Sequence, residues 1–166
     1  VLALAANEAF DVNAKDKDGS TPTPLHWACM MGHKELALAL AANEAVDVNA
    51  EDENGWTPLH YACMKGHKEV ALALIATEAF DVNAKDKYGS TPLHYACEKG
   101  HQEVALALAA NEAVDVNAKD KNGRTPLHYV CAKGPAEVAL ALAANEAVDM
   151  NAKDEDGDTP LHYACI

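Results

Sequence analysis

Aromatic side chains are scarce in this chain, 5% of 166 residues, so Ala, Leu and Val must build whatever core it has. Positive charge is scarce too: 13 Lys and Arg stand against 26 Asp and Glu, for a formal net charge of −13. That balance argues against a nucleic-acid groove, where phosphate neutralisation supplies much of the affinity. No run of 18 apolar residues exists and no charged-then-apolar leader opens the chain, so neither a membrane span nor a signal peptide is expected. The 5 cysteines form no CxxC pair, which removes zinc-finger spacing. GxxxxGK, GxSxG and HExxH are absent, and nothing positions a nucleophile beside a base. One string, Ala14-Lys15-Asp16-Lys17-Asp18-Gly19, looks like the middle of a calcium loop, but Ala14 and Leu25 would fall where acidic ligands are required. No enzyme activity, cofactor or metal is expected.

What is present is a period. Thr-Pro-Leu-His returns at Thr23, Thr57, Thr91, Thr125 and Thr159, always 34 residues apart, and residues 57–90 and 91–124 share 27 identities. A period in this range marks a solenoid of stacked supersecondary units. Within one unit, Thr57 suits a helix N-cap and Pro58 the first helical position, where a missing N–H costs nothing. Leu59, Ala62 and Cys63 make an apolar stripe, and Gly66 ends the helix. A second helix is predicted from about Lys68 to Ala76. Its Ala/Leu alternation imitates a strand, but Ala is a good helix former and a poor strand former. Asp81-Val82-Asn83-Ala84 is expected to leave that helix as an extended segment, with a turn at Asp86 and Gly89.

The stretches Thr57–Leu74 (TPLHYACMKGHKEVALAL) and Asp81–Gly89 (DVNAKDKYG) resemble the ankyrin repeat, and the pattern recurs across essentially the whole chain. The resemblance implies an all-α solenoid of stacked helix-turn-helix units with projecting turns, forming one domain over 1–166. A partial unit, 1–22, would precede full units 23–56, 57–90, 91–124 and 125–158, and a partial unit 159–166 would close the array. The usual unit is about one residue shorter and has Gly after its second helix. Here Ala79-Phe80, Ala113-Val114 and Ala147-Val148 supply no Gly, so a different exit is expected, with the extra hydrophobe under the turn. Thr21-Pro22 duplicates Thr23-Pro24, and the first turn should bulge or shift. Val1–Asn7 matches a second helix and Thr159–Ile166 only a first one; neither end looks like a polar cap, which suggests a fragment or half-units that complete each other head to tail.

Cys29, Cys63, Cys97, Cys131 and Cys165 share one position of successive units. Neighbouring units lie roughly 8–10 Å apart, too far for a disulfide's Cα atoms. They are expected to be buried packing thiols, and reduced thiols suit a cytoplasmic or nuclear protein. The same spacing keeps equivalent imidazoles from sharing an ion. By resemblance, the histidine of each Thr-Pro-Leu-His knits its loop to the adjacent unit by hydrogen bonds. A second column, His33, His67 and His101, is broken by Pro135, a residue that a helix start accepts.

Partner-binding candidates are the positions that escape uniformity. Trp27, Tyr61, Tyr95, Tyr129 and Tyr163 follow the repeated histidine, and the resemblance places them on the first helices, facing the concave side. These rings either bind a partner or merely cover the helix pair with their hydroxyls in water. Beside them stand Met30, Met31 and Met64, and the variable turn tips include Trp56, Tyr88 and Arg124. Trp and Tyr are enriched among binding hot spots, so Tyr61→Ala with Tyr95→Ala should weaken binding by about 2 kcal/mol or more and leave the fold intact. The acidic residues, such as Asp115, Asp120, Asp149 and Asp154, are expected to be solvated turns, an acidic rim that steers a basic partner, or both. The reading favoured is a non-catalytic protein-interaction scaffold with an unidentified protein partner. Alternatives are a structural subunit that self-associates end to end, an engineered repeat protein without a natural partner, and the ankyrin region of a longer enzyme.

Overall fold

The protein is described from a computed structural model, which covers residues 11–14 and 22–165. The turn tip at Asp18 and Ser20, Thr21 of the duplicated Thr-Pro and the segment 1–7 lie outside the described residues. Among the described residues the helices come in pairs: α1 (Pro24–Met30) with α2 (Lys34–Ala41), α3 (Pro58–Lys65) with α4 (Lys68–Ile75), α5 (Pro92–Glu98) with α6 (Gln102–Ala109), and α7 (Pro126–Lys133) with α8 (Ala136–Ala144). A last short helix, α9 (Pro160–Tyr163), follows. Helices this short are marginal alone, so packing must hold them.

Each first helix opens with Thr at the N-cap, Pro in the first turn and His at the third position, closing a capping box. First helices pack on first helices and second on second, so the array has two helical layers. Leu25, Leu59, Leu93 and Leu127 fill the space between the layers with Leu40, Leu74, Leu108 and Leu142. The Ala/Leu alternation resolves as helix geometry requires: residues two apart lie about 200° apart around a helix. Leu74 is therefore buried while Leu72 is exposed.

The segment after each second helix departs from the expected extended form. Ala84 N–H donates to the Asp81 carbonyl and Asn83 N–H to Asp81 Oδ1 (2.9 Å), so Asp81–Ala84 is a turn that its own aspartate closes. The exit from the second helix has no Gly because it needs none: among the described residues only glycines have positive φ, and none lies there. Val46, Phe80 and Val114 are buried beneath this exit, and Val148 is partly buried.

Adjacent turns stack by backbone bonds. Lys87 N–H donates to the Asn54 carbonyl, Lys121 N–H to Tyr88 and Glu155 N–H to Asn122 (2.8–2.9 Å). Gly89, at φ +79°, sits where a Cβ would lie 3.0 Å from the Lys121 nitrogen, so only glycine permits this approach. A second clamp comes from asparagine. Asn49 Nδ2 donates to the Ala79 carbonyl, and its Oδ1 accepts Asp81 N–H; Asn13, Asn83 and Asn117 repeat the pattern.

Candidate partner-binding surface

The variable residues sit on a face that is chemically regular beneath them. At its base lies the repeated histidine. Thr57 N–H donates to His60 Nδ1 (3.1 Å), and His60 Nε2–H donates across to the Ser90 carbonyl of the next unit (3.1 Å). Because Nδ1 must accept a backbone N–H, the geometry selects the neutral Nε2–H tautomer. His26, His94 and His128 repeat both bonds, to the carbonyls of Trp56, Arg124 and Asp158. Burial pulls His60 and His94 below the ordinary imidazole pKa.

Above the histidines lies a tyrosine–aspartate column. Tyr61, Tyr95, Tyr129 and Tyr163 each stand edge-on to the histidine one unit earlier, at 5.4–5.9 Å between ring centroids. Their hydroxyls do not reach for water: they donate to Oδ2 of Asp52, Asp86, Asp120 and Asp154 at 2.5–2.8 Å. Burial first, and donation to a carboxylate next, push Tyr129 up to about 12, and Tyr61, Tyr95 and Tyr163 move the same way. At Asp86, Oδ1 accepts the N–H groups of Tyr88 and Ser90, both at 2.8 Å. Asp120 and Asp154 are thus buried structural acceptors rather than solvated turn charges, whereas Asp115 and Asp149 are exposed.

The candidates therefore divide. Trp27, Met31 and Tyr88 are exposed, at 51%, 57% and 65%. Met30 and Met64 are partly covered, and their carbonyls accept His67 Nε2–H and His101 Nε2–H (2.9 Å each). Trp56 lies between Tyr61 and Tyr95 (ring centroids 5.1 and 4.7 Å) and donates Nε1–H to Asp86 Oδ2 at 3.1 Å. Arg124 holds the equivalent place two units later, its guanidinium 5.5 Å from the Tyr163 ring centroid. Sequence reasoning missed the aspartates as partners of the tyrosines. The signal was available: an Asp stands nine residues before each of these tyrosines.

Cys29, Cys63 and Cys97 are buried, and desolvation pushes Cys29 up to about 12. Cys131 is only partly buried and Cys165 is exposed, contrary to the expectation for all of them. Among the described residues a complete helix pair follows the helices that carry Cys29, Cys63 and Cys97, whereas the short α9 follows the one that carries Cys131. Among the described residues no three His, Cys, Asp or Glu side chains converge as a metal site, and no helix is long and apolar enough to cross a membrane.

Helix pairs stacked in sequence, with projecting turns that hydrogen-bond from unit to unit, define a helical repeat solenoid. A family model described as ankyrin repeats (3 copies) matches residues 1–86 and 44–120, and one described as ankyrin repeats (many copies) matches 108–164. The chain belongs to the ankyrin repeat family, whose arrays are generally protein-binding modules and typically non-catalytic. A search among curated proteins finds no match.

Proposed function

We propose that this array is a non-catalytic interaction scaffold that binds a protein partner through the face of its first helices and through its turn tips. The supporting observation is the exposure of Trp27, Met31 and Tyr88 on a frame otherwise closed by internal hydrogen bonds. An ordered frame loses little entropy on binding, and exposed aromatics such as Trp27 on α1 and Tyr88 at a turn tip suit contact with a partner. Its five free thiols suit a reducing compartment, cytoplasm or nucleus. Photo-crosslinking residues placed at Trp27 and Tyr88 should capture a partner that the same residue at Leu72, on the second-helix layer, does not. Equal capture from all three positions would remove the reading.

Self-association is a second reading with its own observation. Leu140 and Leu161, exposed at 70% and 71%, border an apolar recess of about 300 Å³ with Met150. Light scattering coupled to size exclusion in reducing buffer tests it, since a mass that stays monomeric as concentration rises would exclude it.

A further inference from the structure

We propose that the recess between Tyr129 and Tyr163 binds a carboxylate of the protein partner, held by Arg124. The inference rests on the binding-face reading above and names the chemistry of one subsite on that face. Two units earlier, the chain fills the equivalent notch itself: Trp56 packs against Tyr61 and Tyr95 and donates to Asp86. At the later notch the filler is Arg124, and a recess of about 290 Å³ stays open, lined by Arg124, Tyr129, Tyr163, Lys133, Ala132 and Glu98.

Arg124 is not anchored as Trp56 is. Its Nε lies 4.0 Å from Asp154 Oδ2, beyond hydrogen-bonding reach, and this enclosed Nε has no hydrogen-bond partner among the described residues. Asp154 is already engaged: Oδ2 accepts the Tyr163 hydroxyl at 2.7 Å, and Oδ1 accepts the N–H groups of Asp156 and Asp158. The guanidinium instead rests on the Tyr163 ring and engages the Tyr163 side chain, and its fork keeps further N–H donors for an incoming oxygen pair.

Two cations line the recess although the molecule as a whole is acidic, and the carboxylates of Asp154 and Asp120 stand near Arg124. Lys133 lines the recess and forms no ion pair among the described residues, while Glu98 is paired with Lys99 at 3.0 Å. A net charge of −13 repels a polyacidic partner. The occupant that fits is a single carboxylate in an otherwise neutral or basic segment, either a chain's C-terminus or one Asp or Glu side chain. Arg is the residue suited to such planar, two-point recognition, and the tyrosine rings supply apolar walls for the flanking residue.

The sequence contains one arginine, so the Nε–Hε signal in a nitrogen–proton correlation spectrum belongs to Arg124 without further assignment. Three peptides serve as probes: acetyl-Phe-Gly with a free C-terminus, acetyl-Gly-Glu-Phe-amide, and acetyl-Phe-Gly-amide, which has no carboxylate. At least one of the first two should move that signal saturably, and the third should not; whichever binds identifies the carboxylate's source. Arg124→Gln should weaken binding tenfold or more, and Arg124→Lys should weaken it less, because charge remains without the fork. No saturable shift up to about 20 mM of either carboxylate peptide would overturn the proposal. So would unchanged affinity of Arg124→Gln, measured on the backbone signals of Tyr129 and Tyr163. Crosslinking at Trp27 and Tyr88 is independent of Arg124, so capture there with a silent recess would leave the scaffold reading intact.

Discussion

Asp86 receives four donors, two from backbone, one from Tyr95 and one from Trp56, and the column of such aspartates sets what single substitutions should do. Tyr95→Phe keeps the ring against His60 and removes only the hydroxyl, so about 1 kcal/mol of stability should be lost in urea unfolding. Tyr61→Ala and Tyr95→Ala remove more than binding surface, since each also deletes an acceptor's partner and a ring packed on a buried histidine. They are therefore poor tests of binding, and the exposed Trp27 and Tyr88 are better ones. Tyr88→Ala with Trp27→Ala should weaken partner binding by about 2 kcal/mol or more without changing the unfolding midpoint. The buried histidines give a pH dependence with a definite sign. Above the ordinary pKa of 6.5, His60 and His94 are neutral in folded and unfolded chains alike. As pH falls below that value, the unfolded chain takes the proton while the folded one resists, because burial disfavours the charged ring. Stability should then fall with pH, by no more than about 1.4 kcal/mol per pH unit for each histidine, until the depressed folded pKa is reached. Unfolding midpoints between pH 7.5 and 5.5 check this, and a flat profile would contradict it.

At the scale of elements, the link between α7 and α8 is the irregular one. Gly66, the residue before His67, is left-handed at φ +71°, but Gly134 before Pro135 is extended at φ −84° and ψ 169°. A residue preceding proline is driven out of the helical region toward extended backbone, which accounts for the change. Pro135 also has no ring N–H, so the fourth unit lacks the bond that His67 and His101 send back to the Met30 and Met64 carbonyls. Amides of α8 should therefore exchange with deuterium earlier than those of α4 and α6. Pro135→His should narrow that gap. Equal exchange in all three helices would show that the missing bond is not felt. Pro135, a residue that a helix start accepts, sits at the N-cap of α8, and the cost of placing it there falls on the glycine before it.

At the scale of the whole molecule, thiol burial differs along the stack. Cys165 and then Cys131 should react with an exposed-thiol reagent in the native state, while Cys29, Cys63 and Cys97 should wait for unfolding. Reaction of all five at one rate would mean that the stack opens as a unit. Much of this architecture was legible beforehand, because a 34-residue period carries its own pairing rule: whatever one unit does, its neighbour does beside it. The helix starts were legible from Thr-Pro.

The repeat, the helices and the variable positions follow from the residues alone, since propensity, capping and periodicity are local properties. Which polar groups meet depends on packing, because Tyr95 and Asp86, or His60 and Ser90, face each other only once neighbouring segments are stacked. Burial made structural acceptors of Asp120 and Asp154, while Asp115 and Asp149 stayed exposed. The same stacking gave equivalent positions different work, with Trp56 closing its notch and Arg124 leaving its own open.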